Sequence, residues 1–194
     1  MIVNNKFNML RLSITFLLLA STSVVAETIE TIEYKNYLIS PRFPQEIKRE
    51  LMRNTPIRER SGSFNGHTDW YIDWRYQTRQ EANFCRVSKI QTKVHIVHIL
   101  PMLSDRVTDA QTIAVFNKFN GALTQHELNH GKHGLSAARE IDAALSNMSA
   151  QRNCRYVSRM IDKIGNTIVR KYVFADNEYD RTTQNGRSEG AIIY

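Results

Sequence analysis

The chain has 194 residues, of which 42% are hydrophobic and 23% are charged. These are ordinary values for a globular protein, and they exclude wholesale disorder. The 26 basic and 19 acidic residues give a net charge of +7, but the basic residues form no tract of the kind that follows a phosphate backbone. Composition therefore predicts one domain with a sizeable core and no nucleic-acid partner.

The N-terminus has the pattern of a secretory signal. Lys6 and Arg11 precede an apolar run from Leu12 to Ala20, and a small-residue stretch then ends at Ala26. The run is too short to span a bilayer comfortably, which disfavours the alternative of a membrane anchor. We therefore predict a signal peptide over residues 1–26, whose removal lowers the net charge from +7 to +5. The mature chain, residues 27–194, is then a single periplasmic or secreted domain without a stable membrane span.

The sequence contains two cysteines, Cys85 and Cys154. In an exported protein, an even number of cysteines most simply forms disulfides. The alternative is a pair of zinc thiolates, but neither cysteine has a partner at C-x-x-C spacing. We predict a Cys85–Cys154 disulfide.

Extended segments dominate the first half of the mature chain. Residues 28–40 are rich in Thr, Ile and Tyr and predict a first strand. A short helix is expected between Pro44 and Arg60. Residues 68–76 alternate as in a half-buried strand, and residues 84–100 predict another strand that ends at Pro101.

Helical periodicity dominates the second half. Apolar residues recur at helical spacing from Thr108 to Leu145, although Gly131 and Gly134 leave open whether one helix runs throughout. A further helix is expected from about Ser149 to Tyr172, followed by an irregular polar tail over residues 178–194. The order of elements predicts an α+β domain, with an N-terminal antiparallel sheet followed by long helices.

One short motif indicates a catalytic metal site. His126-Glu127-Leu128-Asn129-His130 matches the H-E-x-x-H pattern. On a helix, His126 and His130 lie one turn apart on the same face, so that both imidazoles can bind one zinc ion. Glu127 would then accept a proton from the metal-bound water as general base. The alternative interpretation is a helix with two solvated or core histidines.

A zinc site needs a third protein ligand. His133 lies about 10 Å from His126 along an unbroken helix, so it could join the site only if Gly131 broke that helix. The acidic candidates downstream are Glu140 and Asp142 on the predicted helix, and Asp176, Glu178 and Asp180 towards the tail, beyond the predicted helices. The strand histidines His67, His95 and His98 are expected to be surface or core residues.

Several features together resemble a bacterial family of predicted secreted zinc-dependent proteases, known as domain of unknown function 922. They are the Trp-x-Ile-x-Trp strand at residues 70–74, Cys85, Leu100-Pro101, the motif at 126–130, Cys154, and the segment Tyr179-Asp180-Arg181-Thr182-Thr183-Gln184-Asn185-Gly186 with Gly190-Ala191. The resemblance implies a zincin-like metallopeptidase domain that uses Zn²⁺ and acts on proteins or peptides. It covers nearly the whole mature chain. Asn185 departs from the family, which usually has His at that position.

The resemblance also bears on the third ligand. If the family's histidine were that ligand, Asn185 would imply an altered site. Asp180 is retained, and an aspartate after two helical histidines is chemically sound. Our hypothesis is therefore that His126, His130 and Asp180 bind the zinc. Tyr179, beside Asp180, is either an oxyanion donor or a packing residue.

The sequence thus predicts an exported zinc endopeptidase. A rival of a different class is a non-catalytic zinc-bearing domain that binds a protein or the cell envelope, and Asn185 keeps this alternative open. A third hypothesis uses the same chemistry on another amide, such as a peptidoglycan cross-link.

Overall fold

A computed structural model of the chain describes residues 25–59 and 62–194. The elements in chain order are strand β1 (Val25–Ile39), a 3-10 turn (Pro44–Glu46), helix α1 (Ile47–Asn54), strands β2 (Arg58–Glu59), β3 (Gly62–Ser63), β4 (His67–Gln80) and β5 (Cys85–Leu103), helices α2 (Ala110–Ser146) and α3 (Cys154–Thr183), and a final 3-10 turn (Arg187–Glu189). The predicted signal peptide, residues 1–26, lies outside the described residues except for its last two. None of the described helices is long and apolar enough to cross a membrane.

The main sheet has three strands in the order β1-β5-β4. β4 pairs antiparallel with β5, whereas β1 pairs with β5 in parallel. The domain is therefore α+β as predicted, but the prediction of an antiparallel sheet is wrong for β1. The chain passes through α1 and β4 before it reaches β5, and such a long connection lets β1 and β5 run in the same direction.

Strand β5 continues beyond Pro101, where the sequence predicted its end. Proline has no N–H for a ladder of hydrogen bonds, so it is tolerated where a strand has a free side. The pairing of β4 with β5 begins at His67 and Ile99, so Pro101 lies past the end of β4 and pairs with Tyr37 of β1 alone among the described residues. The missing N–H of Pro101 therefore breaks no hydrogen bond between β4 and β5.

Helix α2 runs without a break through both of its central glycines. A Cβ added at Gly134 would lie 2.6 Å from Cβ of Trp70, and one at Gly131 would lie 2.8 Å from Cε1 of His98. These positions have no room for a side chain because the helix packs closely on β4 and β5. The glycines therefore serve close packing and do not end the helix.

The largest core cluster joins β5, α2 and α3. Its buried members are Cys85, Val87, Ile90, Ala137, Ile141, Leu145, Val157, Ile161 and Ile168. The predicted disulfide is confirmed and lies in this region, with Cys85 and Cys154 bonded across a separation of 69 residues. It ties the start of β5 to the start of α3.

Helix α3 is longer than the sequence predicts. The helix continues to Thr183 and ends at Gln184, which has a left-handed backbone with φ of 55°. The predicted irregular tail is therefore wrong for residues 178–183. This polar stretch is stabilised as a helix by the contacts of Tyr179 and Asp180 with His126 of α2.

Candidate metal centre

The two motif histidines lie in the middle of α2, and both are buried. Their rings stand nearly perpendicular, with an interplanar angle of 85°. Nε2 of His126 and Nε2 of His130 lie 3.2 Å apart. The one-turn spacing of the motif thus brings two nitrogen atoms towards one point, as the sequence predicts.

Asp180 approaches the same point from α3. Its Oδ1 lies 3.1 Å from Nε2 of His126 and 3.0 Å from Nε2 of His130. Ligands about 2.0 Å from a tetrahedral ion lie roughly 3.3 Å from each other, so a triangle with these sides can hold one metal ion. The group His126, His130 and Asp180 is one of two among the described residues that could hold such an ion.

Two further carboxylates contact the outer nitrogens of the rings. Oε2 of Glu189 lies 2.8 Å from Nδ1 of His126, and Oδ1 of Asp176 lies 3.0 Å from Nδ1 of His130. An ionised carboxylate can only accept a hydrogen bond, so each Nδ1 carries a proton and donates it. In each ring, Nε2 is then the nitrogen that remains to bind a metal ion, in place of any proton that it shares with Asp180.

The charges in the site favour a bound cation. Burial alone lowers the pKa of His130, but the hydrogen bonds and charges of Asp176 and Asp180 outweigh it and raise this pKa to about 10. Burial raises the pKa of Asp180, but its contacts with His126 and His130 hold that pKa well below the ordinary value. Three electron-pair donors so close together repel one another unless a proton or a metal ion lies between them.

Glu127 lies beside this group and is buried. Oγ1 of Thr68 donates a hydrogen bond to Oε2 of Glu127 over 2.8 Å, and the same hydroxyl lies 2.9 Å from Nδ1 of His98. Burial raises the pKa of Glu127, and the Thr68 hydrogen bond and the nearby histidines offset only part of this. A carboxylate with a raised pKa suits proton transfer near neutral pH.

The structure separates the other candidate ligands from His126. His133 contacts Asp176 through its Nδ1, and with His130 these residues form the second group that could hold a metal. Glu140 accepts hydrogen bonds from Lys171 and Tyr172, Asp142 accepts from Thr28 and Thr92, and Glu178 pairs with Arg181. The sequence placed Asp176, Glu178 and Asp180 beyond the helices, which is wrong, since all three lie on α3.

None of the strand histidines belongs to either group of described residues that could hold a metal ion. His98 is buried beneath α2, whereas His67 faces Asp69 at 3.2 Å. His95 lies on the open face of the sheet, where its ring stacks against Tyr71. These positions agree with the expectation that the three histidines are core or surface residues.

Tyr179 packs directly on the site. Its ring stacks on His126 with centroids 4.8 Å apart. Its hydroxyl donates to Oε1 of Glu189 over 2.7 Å and accepts from Nδ2 of Asn129 over 2.8 Å. The hydroxyl is thus engaged, and the contacts of Tyr179 support the packing role. The oxyanion role stays a prediction.

A cavity of about 740 Å³ opens onto the group. Its walls include the residues before and in β4, the end of α3 and the C-terminal segment, with Gly66, Thr68, Leu123, Arg187, Ala191 and Ile193 among the lining residues. Asn185 also lines the cavity, in a left-handed conformation with φ of 53°. Asn185 belongs to neither of the two groups of described residues that could hold a metal ion.

Glu189 and Thr68 could not be identified from the sequence as residues of the site. Glu189 is separated from His126 by 63 residues, and Thr68 from Glu127 by 59. Neither residue stands in a recognisable motif, and a single acidic residue in a polar tail or a threonine in a strand has no pattern that reveals such a partner. Only the fold brings them to the site.

Residues 34–187 match the model of a family described as "Bacterial protein of unknown function (DUF922)". The chain belongs to this family. The matched range includes the motif, both cysteines and Asp180, and it ends before Glu189. No curated protein and no solved structure shows significant similarity to the chain. The predicted family is therefore confirmed, and its description names no activity.

Proposed function

We propose that this chain is an exported zinc-dependent endopeptidase of the zincin-like type, in which His126, His130 and Asp180 bind the zinc. The observation that carries the proposal is the triangle of Nε2, Nε2 and Oδ1 atoms, with sides of 3.0 to 3.2 Å, next to the buried carboxylate of Glu127. Two imidazoles and one carboxylate form a ligand set that zinc takes in catalytic sites, where one position stays open for water or substrate.

A zinc ion at this position would lower the pKa of a bound water and polarise the scissile carbonyl. Glu127 would take the proton of the attacking water and later return it to the leaving amine. The Thr68 hydroxyl orients the Glu127 carboxylate by the hydrogen bond to Oε2. Because Glu127 is buried with a raised pKa, it can hold that proton between the two steps.

The position of strand β4 favours a polypeptide as the substrate. Among the described residues it is an edge strand of the main sheet, and Thr68 near its start donates a hydrogen bond to Glu127. A Cβ at Gly66, just before the strand, would lie 2.8 Å from Oε1 of Glu127. An extended peptide that adds to this edge would therefore pass the metal centre, and backbone hydrogen bonds would hold it irrespective of its sequence.

Export is part of the proposal. The N-terminal pattern predicts a cleaved signal, and the Cys85–Cys154 disulfide is consistent with an oxidising compartment such as the periplasm or the cell exterior. We therefore propose that proteins or peptides in that compartment are the substrates, and that nucleic acid is not a partner.

Substitution of Glu127 by Gln tests the enzyme. The variant should keep its zinc and lose hydrolysis of a denatured protein or peptide library by about 10²–10⁴-fold, the usual contribution of a general base. Glu178→Gln is the matched control, because Glu178 is an exposed acid on α3 that pairs with Arg181. Zinc-loaded wild type that cleaves no protein, peptide or peptidoglycan cross-link would contradict the proposal, and so would full activity of the Glu127 variant.

A non-catalytic zinc-bearing domain that binds a protein or the cell envelope is the second candidate. The observation that favours it is Asn185, which lines the cavity where the family usually has His. In that case zinc would bind and the Glu127 variant would be indistinguishable from wild type against every substrate.

A further inference from the structure

The residues after α3 form a tight reversal, which we call the C-terminal hook and define as residues 184–190. It begins with three consecutive left-handed residues, Gln184, Asn185 and Gly186, with φ of 55°, 53° and 77°. A 3-10 turn at Arg187–Glu189 follows. This reversal returns the chain to α2 and places Glu189 against His126.

Both oxygens of Glu189 are engaged. Oε2 contacts Nδ1 of His126 at 2.8 Å, and Oε1 accepts the hydroxyl of Tyr179 at 2.7 Å. That hydroxyl in turn accepts a hydrogen bond from Asn129 on α2. The carboxylate is thus held by one side chain of α2, His126, and by one of α3, Tyr179, whose hydroxyl is itself held by Asn129.

The backbone of the hook packs on the same imidazole. A Cβ at Gly186 would lie 3.0 Å from Cγ of His126. The positive φ of Gly186 and this close approach both disfavour any other residue. His126 is therefore covered on one side by the hook and on another by the ring of Tyr179.

The segment beyond the hook forms part of the cavity wall. Ala191 and Ile193 line the cavity and pack against a second core cluster, whose buried members are Ile39, Ile47, Leu51, Leu100, Phe116, Phe119 and Leu123. Arg187, within the hook, also lines the cavity. Glu189 therefore stands between a metal-binding histidine and the wall that a substrate would touch.

We propose that Glu189 is a positioning residue that couples metal binding at His126 to the closure of the C-terminal hook. The proposal rests on the metal site of the proposed function. Metal binding requires His126 to present Nε2, which the hydrogen bond from Nδ1 to Glu189 enforces, and a metal on Nε2 strengthens that hydrogen bond. Because coupling between two equilibria is reciprocal, bound zinc stabilises the hook to the same extent as the hook strengthens zinc binding. Asp176, the partner of His130, lies within α3 and depends on no such segment.

The test measures zinc affinity and hook closure separately. Zinc affinity is measured by competition with a chromophoric chelator, in wild type and in the Glu189→Ala, Glu189→Gln and Glu178→Ala variants. Glu189→Ala should bind zinc about 10–100-fold more weakly, the usual loss for an orienting carboxylate. Glu189→Gln keeps an acceptor for Nδ1 and should show a smaller loss, and Glu178→Ala should match wild type.

Hook closure is followed by trypsin cleavage after Arg187, with cleavage after Arg152, between α2 and α3, as the internal reference. Zinc should protect Arg187 in wild type, and either removal of zinc with a chelator or Glu189→Ala should abolish that protection without changing cleavage at Arg152. If Glu189→Ala fails to fold, Glu189→Gln and Tyr179→Phe provide the same comparison. The coupling would be overturned if Glu189→Ala kept both the wild-type zinc affinity and the wild-type protection of Arg187. If Glu189→Ala does not fold, the same result in both Glu189→Gln and Tyr179→Phe would overturn it.

The outcomes separate this inference from the proposed function. If wild type binds no zinc, the metal site and the coupling both fail. If wild type binds zinc and hydrolyses nothing, the peptidase fails, and the coupling stands or falls on the Glu189 variants. If wild type hydrolyses peptides while the Glu189 variants bind zinc and protect Arg187 as wild type does, the coupling alone fails.

Discussion

Nε2 of His126 lies 3.1 Å from Oδ1 of Asp180, although 54 residues separate them in the chain. The contact joins the middle of α2 to the last turn of α3. It converts a pair of helical histidines into a group of three atoms that could hold a metal ion. Most of the chemistry proposed for this chain depends on that contact.

Substitution of Asp180 by Ala should remove most of the bound zinc. In the proposed site Asp180 supplies one of three ligand atoms, so its loss should exceed the roughly 10–100-fold effect of removing an orienting residue. Zinc content of the purified protein, measured by atomic absorption, checks this. Glu178→Ala is the control on the same helix, and undiminished zinc in Asp180→Ala would refute the assignment.

Substitution of Asn185 by His should leave zinc affinity within about twofold of wild type, since Asn185 is outside the ligand group. The backbone N–H of Asn185 donates to the carbonyl of Asp180 over 2.8 Å, and this hydrogen bond does not depend on the side chain. Zinc affinity is measured by chelator competition. A large increase in affinity would show that a His at this position becomes a ligand.

Substitution of Thr68 by Val should weaken catalysis and keep the metal. The variant leaves the buried carboxylate of Glu127 without its hydroxyl donor, which costs about 1–3 kcal/mol of stability. The base would also lose its orientation, so kcat should fall while zinc content stays constant. Thr68→Ser keeps the hydroxyl and is the matched control. Equal kcat values for the two variants would argue against the orienting role.

Removal of the disulfide should destabilise the domain by about 2–5 kcal/mol. The Cys85→Ala/Cys154→Ala double variant can be compared with wild type by urea denaturation. Along α3, Cys154 is about 39 Å from Asp180 by the helical rise, so zinc affinity of the folded double variant should be unchanged. A variant as stable as wild type would contradict a structural role for the bond.

Substitution of Gly134 by Ala should destabilise the domain by about 1–3 kcal/mol, because the new Cβ would overlap Cβ and Cγ of Trp70. Trp70 donates a hydrogen bond to Asp176 over 2.6 Å, so its displacement should also weaken zinc binding. Gly121→Ala is the control on the same helix. Its Cβ would meet nothing within 4 Å, and it should stabilise the domain by about 0.5–1 kcal/mol. Equal thermal stabilities of the two variants would contradict the close packing.

The sequence predicted the elements where local pattern was strong and failed where a partner decided the structure. Alternation of Trp70 and its neighbours identified β4, and the apolar period identified α2 and most of α3. The polar residues 178–183 carry no apolar period, so their helix could not be predicted. They are helical because Tyr179 and Asp180 contact the histidines of α2. The parallel direction of β1 likewise depends on the path of the chain between strands.

The sequence by itself determined the pair His126 and His130 and the carboxylate of Glu127 beside them, because the helical repeat places residues four apart on one face. It also determined the cysteine pair, since only two were available. The tertiary structure decided which acid joins the histidines, because the approach of Asp180 depends on how α3 packs against α2. It also decided that Glu189 contacts His126, because the left-handed hook brings a residue of the tail back to the site. Spacing along one helix is a local property, whereas contacts across 54 and 63 residues exist only once the chain has packed.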